Sequence, residues 1–262
     1  MGPGRAGFPP TEGASSWANT RSAAESGARS GSVGWTERPP FQLGTGVAFG
    51  LSPDGKWAIT MGFQPSAALL LVPTGPGEAR TLPKGTIDTY HGASFFPDGR
   101  RILLVATEAG RPQRLFFQDL EGALPRVASP EGFSVPQPSD TVSPDAARIA
   151  AFSVAAGEGP VFVSVEDGTV RSIDGLEPGD VPLAWTRDGK SLFVRKPPTG
   201  GAWRVVRFDL ETGKRTLREE LHPAEPSGAS VVCGPVIARD GEVDFYTVAR
   251  GLANPFLVEG LR

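Results

Sequence analysis

Apolar and polar positions alternate along this chain in short runs, and the runs are joined by turns of one kind. Leu51-Ser52-Pro53-Asp54-Gly55 leads into Trp57-Ala58-Ile59-Thr60, and Phe95-Phe96-Pro97-Asp98-Gly99 leads into Arg101-Ile102-Leu103-Leu104-Val105. Val142-Ser143-Pro144-Asp145-Ala146, Trp185-Thr186-Arg187-Asp188-Gly189 and Ile237-Ala238-Arg239-Asp240-Gly241 repeat the arrangement. A period of two marks strands with two differently buried faces. In the turn, Ser suits the first position, Pro pre-sets φ at the second, Asp favours the third, and Gly takes the positive φ that closes a hairpin. Asp54, Asp98, Asp145, Asp188 and Asp240, with Gly55, Gly99, Gly189 and Gly241, are therefore read as structural turn residues.

The five Asp positions lie 44, 47, 43 and 52 residues apart. Repeats of about 40–45 residues built from short strands imply propeller blades. Each unit has four segments. First strands are predicted at Val47–Leu51, His91–Phe95, Pro138–Val142, Val181–Trp185 and Cys233–Ile237. Second strands follow at Trp57–Met61, Arg101–Thr107, Arg148–Val154, Ser191–Arg195 and Val243–Ala249. Third strands are placed at Ala68–Val72, Arg114–Asp119, Val161–Val165, Trp203–Asp209 and Pro255–Glu259. Fourth strands are placed at Ala79–Leu82, Pro125–Ala128, Thr169–Ile173 and Lys214–Leu217. The last unit has no fourth segment of its own, whereas Arg38–Leu43 resembles one. This N-terminal strand is expected to pair into the last blade and close the ring; the competing reading is an open fragment of a larger propeller. The fold class is thus all-β, a propeller of five four-stranded antiparallel blades over residues 35–262, or six if the N-terminal segment contributes more. Residues 1–34 are rich in Gly, Ser, Ala and Arg, show no period, and are expected to be disordered.

Composition narrows the function little. Charge is nearly balanced at −3 without a Lys/Arg cluster, so the footprint of a nucleic-acid binder is missing. One cysteine, Cys233, rules out an internal disulfide and a cysteine-based zinc site. No apolar run has the length of a membrane-spanning helix and no hydrophobic signal core stands at the N-terminus. The expectation is a monomer with no metal or cofactor and no membrane insertion, cytoplasmic as the chain stands, or periplasmic if it belongs to a longer anchored protein.

Gly50-Leu51-Ser52-Pro53-Asp54-Gly55-Lys56-Trp57, Phe96-Pro97-Asp98-Gly99-Arg100-Arg101-Ile102-Leu103 and Leu257-Val258-Glu259-Gly260-Leu261-Arg262 resemble the WD40-like repeats of the TolB type. Together they are similar to the C-terminal propeller half of large bacterial serine/threonine protein kinases. The resemblance covers about 38–262 and implies a propeller fold. Kinase activity is not implied, because no His-Arg-Asp loop, Asp-Phe-Gly or Val-Ala-Ile-Lys is present. It also implies further blade sequence where residues 1–34 stand, which makes that segment a candidate remnant.

The chemistry-bearing residues are few. His91 and Cys233 share a first-strand column with Val47, Pro138 and Val181; they suit a nucleophile pair or a metal, or simply a half-buried wall. His222 reads as a loop residue. No GxSxG elbow occurs, and Gly2-Pro3-Gly4-Arg5-Ala6-Gly7, which matches a dinucleotide loop in form, follows no strand. A glycoside hydrolase needs two carboxylates about 5–10 Å apart. Asp140 is the acid on the first strands, and Asp88, Glu177 and Asp180 lie in loops before them, where acids also serve as solvated turn formers. Trp57, Trp185 and Trp203 fall at alternating strand positions that suit packing between blades better than sugar stacking.

These observations favour a non-enzymatic ring that binds a protein, peptide or small ligand. The alternatives are a channel-centred glycoside- or lactone-active hydrolase and a detached kinase sensor. Alternating strand direction puts the Pro-Asp-Gly turns and the third-to-fourth turns on one face. The second-to-third loops and the blade-to-blade connections share the other, where recognition is expected. Arg111, Arg114 and Lys196, with His91 and Asp140 nearer the centre, are the candidate contacts.

Overall fold

A computed structural model of the chain describes residues 46–62, 68–136, 140–155, 158–199, 202–221, 229–237 and 244–250. All of them lie in the compact unit Leu43–Arg262. The described residues form strands and turns with no helix. The first sheet has the order β1 (Val47–Leu51), β2 (Trp57–Met61), β3 (Leu69–Pro73), β4 (Arg80–Thr81). The second runs β5 (Ile87–Phe95), β6 (Arg101–Glu108), β7 (Arg114–Asp119), β8 (Arg126–Val127). The third contains β9 (Phe133–Ser134), β10 (Arg148–Ser153), β11 (Pro160–Ser164) and β12 (Val170–Ser172). The fourth has β13 (Val181–Trp185), β14 (Ser191–Thr199), β15 (Ala202–Asp209) and β16 (Arg215–Leu221). β17 (Ala229–Ile237) and β18 (Asp244–Arg250) form a fifth, two-stranded sheet.

Every sheet is an antiparallel meander, and first strands of successive sheets pack side by side, as β1 does with β5 and β13 with β17. This is a β-propeller of four four-stranded blades and a two-stranded fifth unit among the described residues. The fifth unit supplies the first two strands expected of a fifth blade. The predicted third strand 255–259, the closing strand 38–43, the segment 1–34, and Asp240, Gly241 and His222 lie outside the described residues.

The core explains why the second strands read as continuous apolar runs. The second and third blades are covered on both faces, so both sets of alternating side chains in their second strands are buried. In β6, Ile102 and Leu104 face the first blade and pack with Phe49, Ile59, Leu69 and Leu71. Leu103 and Val105 face the third, among Val142, Ile149 and Val163. Between the third and fourth blades, Trp185 is fully buried with Ala150, Leu192, Val194 and Phe208.

The turns carry more bonding than their sequence suggests. The Gly55 N–H donates to the Ser52 carbonyl (2.8 Å), and Gly55 has φ +70°. Ser52 Oγ donates to Asp54 Oδ1 (2.6 Å) and accepts from Trp57 N–H (2.9 Å), while Lys56 N–H donates to the same Asp54 oxygen (3.1 Å). Ser143-Asp145 and Thr186-Asp188 repeat the pattern. In the second blade Phe96 replaces the hydroxyl residue, and Arg101 Nε supplies the missing donor to Asp98 at 2.9 Å. The third blade has Ala146 where the others have Gly, and it holds φ 57°.

One predicted element is displaced. Of the predicted strand Pro138–Val142, residues 140–142 are described, and they lie outside the named strands. β9 pairs with β10 further upstream, at Phe152↔Ser134, and the described part of the segment makes two isolated bridges, Val142↔Ile149 and Asp140↔Ala184. Prolines at 136 and 144 offer no ladder donor on either side of this segment, which restricts regular pairing.

A candidate binding face

The two faces of the propeller are sorted as strand direction requires. On one, the residue after each third strand donates its N–H to the carbonyl just beyond the Pro-Asp-Gly turn: Thr74 to Lys56, Leu120 to Arg100, Val165 to Ala147 and Leu210 to Lys190, at 2.9–3.0 Å. On the other, the second-to-third loops touch the blade connections. Gly132 N–H donates to the Gln113 carbonyl and Val154 N–H to the Gly132 carbonyl, both at 2.8 Å.

Two of the candidate arginines lie in one cluster on this second face. Arg114, at the start of β7, pairs with Glu108, at the end of β6. Thr86, from the connection between the first and second blades, donates its hydroxyl to the other Glu108 oxygen. Arg111 Nε donates to Glu131 Oε1 at 2.6 Å, and its Nη1 stands 3.7 Å from Glu108. The bonds from Thr86 and Arg114 hold the Glu108 carboxyl below the usual range. Arg114 is 12% exposed at its side chain and Arg111 is 53% exposed. Arg114 is therefore a brace between loop and connection, and Arg111 is the member offered to solvent.

Lys196 builds a second cluster two blades further on. Its ammonium stands 2.6 Å from Asp180 and 3.0 Å from Glu177, both on the connection between the third and fourth blades. Asp180 is fully buried at its side chain and also accepts the Glu177 N–H at 3.0 Å. Arg215 completes the set, 3.5 Å from Glu177. The hydrogen bond and charge of Lys196, followed by the charge of Arg215, push the Glu177 carboxyl down.

His91 lies in a first strand and Asp140 in an isolated bridge. His91 is exposed and sits at a bulge in β5, where pairing slips between Tyr90 and Gly92. Asp140 is half-buried; its carbonyl accepts the Trp185 N–H at 3.0 Å, linking third and fourth blades. Cys233 lies in β17. Asp88 is exposed in β5 and accepts the Thr89 hydroxyl. Of the four acids considered for hydrolysis, Glu177 and Asp180 are brought together, with Lys196 between them.

Sequence reasoning missed Glu108, Glu131 and Arg195. Glu108 was readable: Ala106 pairs with Arg114, so Glu108 is a diagonal neighbour of Arg114 across the hairpin. Arg195 lies over the Trp203 ring at 4.5 Å, and burial lowers its pKa. Burial also pushes the Tyr90 phenol up to about 12. Among the described residues no three His, Cys, Asp or Glu side chains are grouped as a metal would require, and no helix is long and apolar enough to cross a membrane.

Comparison with solved structures places this architecture. A TolB protein from Acinetobacter baumannii superposes with a TM-score of 0.55 at 18% identity, over 77% of this chain and 54% of that one. A structure described as a putative TolB from Agrobacterium tumefaciens gives 0.57 at 14% identity, over 76% and 68%. The fold is TolB-like. An oligogalacturonate lyase in complex with manganese matches at 0.52 and 15% identity, over 73% of this chain and 55% of that one. The same fold thus occurs with different activities, and this chain spans about half to two-thirds of the length of these neighbours. No family model and no curated protein matches the sequence.

Proposed function

We propose that this TolB-like propeller is a non-enzymatic binding module that presents its loop-and-connection face to a protein, peptide or small ligand. The observation that carries the reading is the bracing of that face. Glu108, Arg114, Lys196 and Asp180 tie loops of the second and fourth blades and adjoining connections into fixed positions, while Arg111 and Glu177 keep 53% and 65% of their side chains exposed. Charged groups displayed from a rigid frame suit recognition. The electrostatics suit hydrolysis less well. A general acid needs a carboxyl raised toward neutral pH, and every described carboxylate with a resolved shift moves down. A sensor half working with a separate kinase is one form of the same reading.

The test compares charge reversals on the two faces. Arg111→Glu and Glu177→Lys should abolish capture of the partner recovered by cross-linked pull-down from the source cell, while Lys56→Glu on the turn face should leave it intact. Equal capture by all three variants excludes this face.

A further inference from the structure

Among the described residues three half-buried arginines lie over aromatic rings, and two of them have an acid beside them. Arg101 stands 4.5 Å from the Phe96 centroid and pairs with Asp98 at 2.8 Å. Arg114 stands 5.4 Å from that of Phe116 and pairs with Glu108. Arg195 stands 4.5 Å from the Trp203 centroid, and among the described residues no carboxylate pairs with it. Its Nε is shut off from solvent with no hydrogen-bond partner, and burial lowers its pKa. The side chain as a whole is half-buried, so the guanidinium meets water through its terminal nitrogens.

The register of β14 places this arginine. Leu192 and Val194 pack with Ala150 of the third blade, whereas Phe193 joins Leu183, Val205 and Trp203 on the opposite side of the sheet. Arg195 lies on that second side, directly across from Val181 and Val205. Lys196, next in the strand, is held by Asp180 and Glu177 on the first side. The two cations thus flank the same end of the blade, and Lys196 is the one already neutralised. A guanidinium drawn partly out of water without an acid is costly to the fold. Its planar fork matches a planar carboxylate through two parallel N–H···O bonds. A phosphate site gathers several cations or backbone N–H groups, and here the described residues offer one cation.

We propose that Arg195 and Trp203 form a binding site for a carboxylate carried on an apolar group. The terminal nitrogens of Arg195 donate end-on to the two carboxylate oxygens. The half-buried indole of Trp203 holds the guanidinium from behind by cation–π attraction and gives the apolar group a flat wall. The carboxylate is that of a small organic acid or of a peptide C-terminus, which present the same planar anion. This site deepens the reading of the loop-and-connection face by naming the chemistry of its ligand, and it rests on that reading for the side of the ring from which the ligand arrives.

The experiment titrates the full chain, at constant ionic strength, with 3-phenylpropionate and with an acetylated tripeptide ending in phenylalanine, and follows tryptophan fluorescence. At least one should bind with Kd of about 1–10 mM or tighter. The amides of both probes, and inorganic phosphate, should bind at least tenfold more weakly. A tighter peptide acid assigns a C-terminal ligand, and a tighter phenylpropionate assigns a small acid; either result supports the site. Arg195→Met and Arg195→Lys, the second keeping the charge without the fork, should each weaken binding at least tenfold. Trp203→Phe should lose the fluorescence response. Circular dichroism verifies that the variants are folded. No response to either acid at about 20 mM, equal binding of phosphate, or unchanged affinity in both Arg195 variants overturns the inference. Partner capture by the Arg111 and Glu177 variants does not enter this measurement, so either reading can fail without the other.

Discussion

Trp185 donates its indole N–H to the carbonyl of Thr141 at 2.8 Å, across the junction of the third and fourth blades. The ring is fully buried, stacks on Phe162 with centroids 5.3 Å apart, and has the Arg148 guanidinium 4.9 Å from its centroid. One side chain thus combines a hydrogen bond, an aromatic stack and a cation–π contact between two blades. Trp185→Phe removes the first and weakens the others. The Thr141 carbonyl keeps Ala150 N–H as a donor at 2.8 Å, so it is not orphaned. The expected loss is about 2–3 kcal/mol, from one hydrogen bond and a partial cavity, seen as a lower midpoint in urea. Trp57→Phe, at a half-buried position, should cost less than half as much.

Ala146 and Gly189 test the turn from opposite directions. Ala146 holds φ 57° and Gly189 φ 67°. A left-handed backbone costs a non-glycine residue about 1–2 kcal/mol, while glycine gives back about 0.4–1 kcal/mol through the unfolded chain. Ala146→Gly should therefore stabilise by up to about 1 kcal/mol, less whatever its methyl contributes beside the second core cluster. By the same difference Gly189→Ala should destabilise by up to about 1.5 kcal/mol. Thermal melts of the pair should shift in opposite directions.

The turn aspartates predict acid sensitivity. Hydroxyl donation from Ser52, Ser143 and Thr186, and backbone N–H donation two residues on, hold Asp54, Asp145 and Asp188 below the ordinary value of 3.8. At Asp98 burial opposes the shift, and donation from Arg100 and Arg101 outweighs it. A carboxylate lowered in the folded state stabilises fully above its unfolded pKa, and the gain is lost as pH falls through the folded value. Stability should be flat from pH 7 to about 5 on this account and fall below about pH 4. Asp145→Asn and Asp188→Asn should each flatten that acid limb, as measured by denaturation midpoints at successive pH values.

Lys196 should matter through Asp180. Lys196→Met leaves the fully buried Asp180 carboxylate with the Arg215 guanidinium, 4.0 Å away, as its remaining cation, which costs about 1–3 kcal/mol after allowing for the part-exposed lysine. Lys196→Met with Asp180→Leu should recover most of the loss, because removing both charges also removes the desolvation penalty. Chemical denaturation of the single and double variants checks both.

Strand positions were legible where burial on both faces wrote a clean pattern. Val47–Leu51, Trp57–Met61, Arg114–Asp119 and Val181–Trp185 fall where alternation and the turns put them. The first strand of the third blade was not, because prolines break its ladder and its pairing begins upstream at Phe133. The extension of β14 to Thr199 was also hidden. Lys196-Pro197-Pro198 reads as a loop, although Thr199 pairs with Ala202. The face carrying the candidate residues followed from strand direction alone. Their ion pairs did not, since Arg111 meets Glu131 and Lys196 meets Glu177 and Asp180 from connections about twenty residues away. Acids in such connections look like solvent-facing turn formers until the blades are assembled.

The turns of neighbouring blades also touch one another. A β-carbon placed on Gly99 would lie 3.6 Å from the Pro53 ring, and one on Gly189 would lie 3.6 Å from Pro144. At these two junctions the proline of one copy of the repeat faces the glycine of the next, and the first two copies carry both residues. A tandem duplication would therefore arrive with the contact it needs on each side already encoded, and an excision would rejoin two ends that fit. Blades can then be added or lost by whole units of such copies without a new junction having to be invented.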